Sequence, residues 1–154
     1  MRNSSASLAT YLRIVQTEID AHLAQKTEIE VLLSALDVEA QTLAQRIETG
    51  VSFHSAQLSG KHFSSGQLAF SHGVLQAFGV QLQSVQTKRE AQTLALDAVK
   101  EALTELAGRK AALQTLSDRR DEAAFAEMQR RLARQIDELY AARGQNATQK
   151  VGAA

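Results

Sequence analysis

The chain of 154 residues contains no cysteine, no proline and no tryptophan, and its other aromatic residues are two tyrosines and five phenylalanines. Without cysteine it has neither disulfides nor thiolate metal sites, which fits a cytosolic protein. The absence of proline favours long helices, because proline removes a backbone donor and clashes with the preceding turn. The scarcity of aromatic rings indicates that there is no wide globular core. We expect one helical domain over residues 1–154.

An excess of charge of one sign is also missing, since 17 Lys/Arg balance 17 Asp/Glu. Residues 1–50 hold four basic and seven acidic residues, and residues 80–154 hold twelve basic and ten acidic residues. Neither half has the strong basic excess that nucleic-acid binding requires, so we expect no nucleic-acid partner. No apolar run resembles a signal peptide or a membrane span. The sequence therefore predicts a cytoplasmic protein without direct membrane insertion.

A heptad repeat runs almost unbroken through residues 8–47. Steps of alternately four and three residues reach twelve positions, of which ten are apolar. These positions, called the first seam, are Leu8, Leu12, Val15, Ile19, His22, Lys26, Ile29, Leu33, Leu36, Ala40, Leu43 and Ile47. A repeat of 3.5 residues gives a narrow stripe that only another helix can bury. It predicts a first helix over about residues 6–49, with Gly50 as its C-terminal cap.

A second seam, more often interrupted by polar residues, follows in the other half of the chain. Its positions are Leu75, Phe78, Leu82, Val85, Arg89, Gln92, Leu96, Val99, Leu103, Leu106, Lys110 and Leu113. It predicts a second helix that begins between Ser65 and Ser71 and covers about residues 71–143, followed by a disordered tail at 144–154. Five of the eight glycines lie in residues 50–79, which predicts a Gly/Ser/His-rich reversal at about 50–70 with phenylalanines closing the core. Within it, the Gly/Ser stretch Ser59–Gly66 is the best candidate for the turn itself. The predicted fold is all-α, an antiparallel two-helix coiled-coil hairpin with a longer second helix.

The unequal lengths of the two predicted helices leave residues 120–142 without an intrachain partner. Antiparallel pairing in a hairpin opposes residues whose numbers add to roughly 120–130. An apolar stripe out of phase with the second seam marks this stretch: Phe125, Met128, Leu132, Ile136 and Leu139. Arginines cluster around it: Arg119, Arg120, Arg130, Arg131, Arg134 and Arg143. The stretch is either a docking element or a solvated helix end.

Evidence for chemistry in the sequence is weak. His54, His62 and His72 suggest a metal site, but residues 51–79 contain neither cysteine nor a carboxylate to complete a ligand set. We favour solvated turn histidines and predict no metal and no cofactor. The carboxylates are scattered over exposed helix faces, so none is desolvated as an acid–base catalyst requires. We expect that the chain is not an enzyme.

Three stretches resemble the FliJ/YscO family, the small coiled-coil stalk proteins of flagellar and virulence type III protein export. Residues 103–120 look like the family's "RKALEKLKERR" stretch. Residues 127–139 resemble its ending, an acidic/basic run that leads into an Asp-Glu pair and an apolar residue. Residues 78–89 match its Phe-x3-Leu-x2-apolar-x3-basic pattern. The first helix is similar in layout alone, and residues 50–79 contain more glycine than the family leads us to expect.

The resemblance implies a stalk in the central hole of a hexameric export ATPase, like the γ subunit of F-type ATPases, that promotes ATP turnover. The implied ring-contacting residues are Leu8, Tyr11, Leu12, Arg119, Arg120, Arg130, Arg131 and Arg134. The loop-proximal part would contact the cytoplasmic domain of the export gate through Phe78, Leu82, Val85 and Arg89. From their seam positions we favour core roles for Leu82 and Val85, and leave Phe78 and Arg89 open.

The resemblance also implies a peripheral location at the cytoplasmic face of the inner membrane. The process would be flagellar biosynthesis, with its motility and chemotaxis, or a virulence-type secretion system, and some family members bind export chaperones. An alternative function is a homodimeric coiled-coil scaffold or tether unrelated to secretion. The tether would dimerise through the helix beyond residue 120, whereas the stalk would be monomeric. A third reading, a metal-sensing regulator, would require zinc binding by His54, His62 and His72.

Overall fold

The computed structural model describes the backbone of residues 2–60 and 64–151 and the side chains of residues 7–60 and 64–143. The described backbone consists of two helices, α1 (Arg2–Ser59) and α2 (Ser65–Val151), with a short connection between them. The described residues include no strand. The helices pack against each other, which confirms an all-α hairpin with a longer second helix. Contacts divide the chain into a hairpin unit, Thr17–Ala107, and a terminal unit, Met1–Gln16 with Gly108–Ala154.

The core of the hairpin unit consists of residues from both seams. One cluster joins Ile29 of α1 to Leu96 and Val99 of α2. A second joins Leu36 and Leu43 to Val85, the least exposed of these side chains at 3 %. For each pair of these residues in contact across the two helices, the two residue numbers add to a value within the range of roughly 120–130 that was predicted for antiparallel pairing. The antiparallel register of the hairpin unit is therefore confirmed.

The heptad positions predict burial closely. All twelve positions of the first seam are buried or half-buried. In the second seam the same holds for every position except Arg89, which is exposed. The agreement follows from geometry, because a helix that packs against one partner covers only a narrow stripe of its surface.

The predicted end of the first helix near Gly50 is wrong, because the helix α1 continues to Ser59. The helix α2 begins at Ser65, within the predicted interval from Ser65 to Ser71. The boundary between the two helices therefore falls in the predicted turn stretch Ser59–Gly66 and does not extend over all of residues 50–70. The seams continue through half-buried positions beyond the predicted limits: Gly50, His54, Gln57, Leu68 and Ser71. Packing of these positions outweighs the cost of about 1 kcal/mol that a glycine carries inside a helix.

Short-range hydrogen bonds mark the helix ends at the reversal. The amide of Gly60 donates to the carbonyl oxygen of Gln57 at 3.2 Å. The carbonyl oxygen of Ser64 accepts from the amide of Leu68 at 3.2 Å, as expected of an N-cap residue. Residues 61–63 of the predicted reversal lie outside the described residues.

The far end of α2 also differs from the prediction. We expected a disordered tail from Gly144 onwards, but the helix continues through Gly144 to Val151. A single glycine costs about 1 kcal/mol in a helix, and no proline follows it. Residues 152–154 of the predicted tail lie outside the described residues.

Candidate functional site

The part of α2 at residues 118–143, called the extension, exposes every one of its side chains. Five large apolar residues, called the extension stripe, are between 49 and 67 % exposed. They are Phe125, Met128, Leu132, Ile136 and Leu139. The prediction that this stretch has no intrachain partner is confirmed among the residues that the structure describes. Apolar side chains that share one uncovered helix face indicate a docking surface.

The second seam ends because its later positions are not large and apolar. Continuing its steps beyond Leu113 would reach Ser117, Arg120, Ala124 and Glu127. The members of the extension stripe are three or four residues apart, so they share one face of the helix, displaced from the seam. The sequence itself therefore separates a face that packs within the chain from a face that does not.

Arginines occupy the face of the extension opposite the stripe. At 3.6 residues per turn this face carries five of them together with three acidic residues. The basic members are Arg119, Arg120, Arg130, Arg131 and Arg134, and the acidic members are Glu127, Asp137 and Glu138. Arg131 Nη2 donates to Glu127 Oε1 at 2.5 Å. Such an exposed pair contributes only a few tenths of a kcal/mol, so the face remains mixed in charge with a small basic excess.

The predicted ring-contacting residues of α1 are not all on the surface. Leu8 is buried and Leu12 is half-buried, so both serve as seam residues of the terminal unit. Tyr11 is 60 % exposed. In the same unit Lys110 Nζ donates to Gln16 Oε1 at 2.7 Å, which provides a polar partner where a lysine interrupts the second seam.

The four predicted gate-contacting residues divide into core and surface. Val85 lies in the core cluster with Leu43, and Leu82 packs against that cluster, as favoured from their seam positions. Phe78 packs against the same cluster. The guanidinium of Arg46 lies 5.9 Å from the centroid of the Phe78 ring. Arg89 is exposed, and its Nε lies 2.7 Å from Asp37 Oδ1. This ion pair joins α1 to α2 at the one exposed position of the second seam.

A groove of about 530 Å³ lies where α1 ends and α2 begins. Its lining includes Gly50, Phe53, Gln57, Phe70, Val74, Leu75 and Phe78. Phe53 and Phe70 are 59 and 75 % exposed, so the expectation that phenylalanines close the core is wrong for these two. The buried Gln57 Oε1 has no hydrogen-bond partner. Heptad spacing could not identify this groove, because Phe53 and Phe70 lie beside the seams and not on them.

The histidines of this region do not assemble a ligand set in the described part of the chain. The hydroxyl of Ser71 donates to the carbonyl oxygen of Leu68 at 3.0 Å. Its oxygen therefore accepts from His54 Nδ1, 2.7 Å away. His72 is exposed, and His62 lies outside the described residues. Among the residues searched, no three His, Asp or Glu side chains are grouped as a metal ion requires.

Within the described residues, neither helix contains a stretch long and apolar enough to cross a bilayer. Comparison with protein-family models, curated proteins and solved structures gave no match to the chain.

Proposed function

We propose that the chain is a coiled-coil stalk of a bacterial type III protein export apparatus of the flagellar kind. Its extension enters the central hole of the hexameric export ATPase and promotes ATP hydrolysis, and the stalk itself carries no catalytic residue. The observation that carries the proposal is the extension stripe, whose five large apolar side chains are about half exposed or more. Exposed apolar faces of this kind mark sites at which a protein contacts a partner.

The side chains around the extension offer contact surfaces of different chemistry on two opposite faces. The apolar stripe lies on one face and the arginines lie on the opposite face. A helix with its side chains is roughly 10–12 Å wide, so the walls of a ring can meet both faces together. One helix inside a six-fold ring contacts the subunits unequally. Unequal contacts favour nucleotide binding in some subunits over others, which explains how a stalk stimulates turnover.

The proposal is tested by measuring ATP hydrolysis by the purified export ATPase with and without the chain. Arg130→Glu combined with Arg134→Glu should lower the stimulation severalfold. Arg131 is left in place because it already pairs with Glu127. Lys88→Glu combined with Lys100→Glu, at exposed positions of the hairpin unit, is the matched control and should retain stimulation. Full stimulation by the arginine variant would contradict ring contact through the extension.

In the same proposal the loop-proximal end contacts the cytoplasmic domain of the export gate and associates with export chaperones. This contact would hold the stalk at the cytoplasmic face of the inner membrane. Val85 is buried in the core, and Leu82 packs against it. The proposed contact is therefore made by Arg89, by Phe78 at the edge of the groove and by the exposed rings of the groove. Phe53→Ala with Phe70→Ala should weaken binding to the purified gate domain. Leu94→Ala, at a position that is 71 % exposed, should leave this binding unchanged. Equal binding by the two variants would exclude the groove as the contact site for the gate domain.

The exposed stripe also favours a second function, the homodimeric scaffold or tether. A tether needs a stable dimer at low micromolar concentration, whereas a stalk must be monomeric there to enter the ring. Light scattering distinguishes the two by mass. A dimer that persists on dilution to that range would support the tether and contradict the stalk.

A further inference from the structure

The spacing of the extension stripe is the same in both chain directions. Its members follow one another at intervals of three, four, four and three residues, so that Leu132 lies at the centre. Phe125 and Leu139 are equally far from Leu132, and so are Met128 and Ile136. A stripe with this symmetry is complementary to a second copy of itself that runs in the opposite direction. A two-fold symmetric interface requires such self-complementarity.

We propose that the extensions of two copies of this chain pair antiparallel about a two-fold axis at Leu132. Phe125 of each copy then meets Leu139 of the other, and Met128 meets Ile136. The pairing buries the apolar face that the single chain leaves exposed.

Charges at the two ends of the stripe select the antiparallel arrangement. Asp121 precedes the stripe by four residues, and Arg143 follows it by four, on the same face. Both side chains are exposed. Antiparallel pairing places Asp121 of each copy opposite Arg143 of the other, whereas parallel pairing would oppose like charges at both ends. The interface therefore has a preferred direction as well as a preferred register.

The borders of the stripe permit close approach of a second helix. Several bordering positions are small or uncharged: Ala124, Gln129, Ala133, Gln135 and Ala142. The arginines of the opposite face point away from the second copy. Arg131, nearer to the interface, is paired with Glu127 of its own helix.

The limited length of the stripe makes the pairing weak. From Phe125 to Leu139 the helix advances by roughly 21 Å, and a contact of this length falls short of the about 1,200–2,000 Å² that stable interfaces bury. The chain is therefore monomeric at low micromolar concentration and pairs where its local concentration is high. Pairing covers the same stripe that the proposed ring contact uses, so the two states exclude each other. The pairing itself does not depend on the ring.

Because the chain contains no cysteine, single cysteines can test the register. At high micromolar concentration under mild oxidation, Leu132→Cys should form a disulfide-linked dimer. Met128→Cys alone should not, because its two copies are on the order of 12 Å apart along the axis, beyond disulfide reach. An equimolar mixture of Met128→Cys and Ile136→Cys should crosslink. Leu94→Cys, exposed but outside the stripe, measures crosslinking by random collision.

Efficient self-crosslinking by Met128→Cys and Ile136→Cys would show parallel pairing and overturn the proposal. Crosslinking of Leu132→Cys no faster than that of Leu94→Cys would show that the stripe does not self-associate. Charge reversal gives an independent check by sedimentation equilibrium. Asp121→Arg and Arg143→Asp should each raise the dissociation constant severalfold, and their combination in one chain should restore it. A combined variant weaker than either single one would contradict the pairing.

These measurements use the chain without any ATPase. If the chain failed to pair with a second copy, the stalk proposal would be unaffected. If the variant Arg130→Glu with Arg134→Glu still stimulated the ATPase, the proposed pairing would be unaffected.

Discussion

At the scale of single residues, Leu94 and Leu96 lie two positions apart in α2 but have very different surroundings. Leu96 is 9 % exposed within a core cluster, whereas Leu94 is 71 % exposed. Leu96 lies on the second seam and Leu94 does not. In a two-helix structure the heptad position therefore decides whether a leucine contributes to stability.

Replacing each of these leucines by alanine should give very different losses of stability. Leu96→Ala removes buried methyl groups and leaves a cavity, so the free energy of unfolding should fall by about 2–5 kcal/mol. We expect the lower end, because one helix partner offers fewer contacts than a globular core. Leu94→Ala should change it by about 0.5 kcal/mol or less. Urea denaturation measures both, and similar losses would contradict the assigned seam.

Gly50 illustrates a close approach of the two helices. A Cβ atom at this position would lie 2.6 Å from Leu75 Cδ2, whereas a Cβ at Gly73 would meet nothing within 4 Å. The absence of a side chain at Gly50 thus allows Leu75 to pack against the backbone of α1. A glycine read as a helix cap is in fact a contact point.

The two glycines should therefore respond differently to alanine. Gly73→Ala should raise the free energy of unfolding by up to about 1 kcal/mol through helix propensity alone. Gly50→Ala gains the same propensity, but the end of the Leu75 side chain must shift to make room for the added methyl group, which offsets part of the gain. It should therefore be stabilised less than Gly73→Ala. Equal stabilisation by both variants, in the same denaturation experiment, would contradict the close approach.

At the scale of elements, the extension of α2 is a helix without tertiary support. All side chains of residues 118–143 are exposed. Most of the stability of helices in proteins comes from tertiary packing, and pairs such as Glu127 with Arg131 add only a few tenths of a kcal/mol. The extension and the seam-packed helices of the hairpin unit should therefore differ in local stability.

Native-state hydrogen exchange should show this difference along α2. At low micromolar concentration, amides of residues 118–143 should exchange with much lower protection than those around Val85 and Val99. The reason is that fraying of the extension exposes no core residue. Protection of the extension equal to that of the hairpin core would show that some contact covers it, contrary to the observed exposure.

The elements also show where sequence reasoning succeeds and where it fails. The seams identified both helices, their antiparallel register and the uncovered extension, because burial against one partner follows heptad position. The helix ends could not be read in the same way. Gly50, His54 and Gln57 continue the first seam, but glycine and polar residues carry no apolar signal, so tertiary packing overrode the turn propensity.

At the scale of the whole molecule, the candidate site could be predicted only in part. The extension stripe and its arginines were identified from the sequence, whereas Leu8, which the resemblance assigns to a partner, is buried within the chain. The groove with Phe53 and Phe70 was missed, since exposure beside a seam depends on the details of packing. The export ATPase, as the partner proposed to cover the extension, comes from the resemblance of the sequence to the FliJ/YscO family.

Site-specific photocrosslinking to the hexameric export ATPase tests the central claim most directly. A photoreactive phenylalanine derivative would replace Tyr140 in the extension or Leu94 in the hairpin unit, two positions that are both 71 % exposed. The stalk proposal predicts a crosslinked product with the ATPase from position 140 and none from position 94. Crosslinking from position 94 alone, or no product from position 140 in the presence of assembled hexamer, would contradict it.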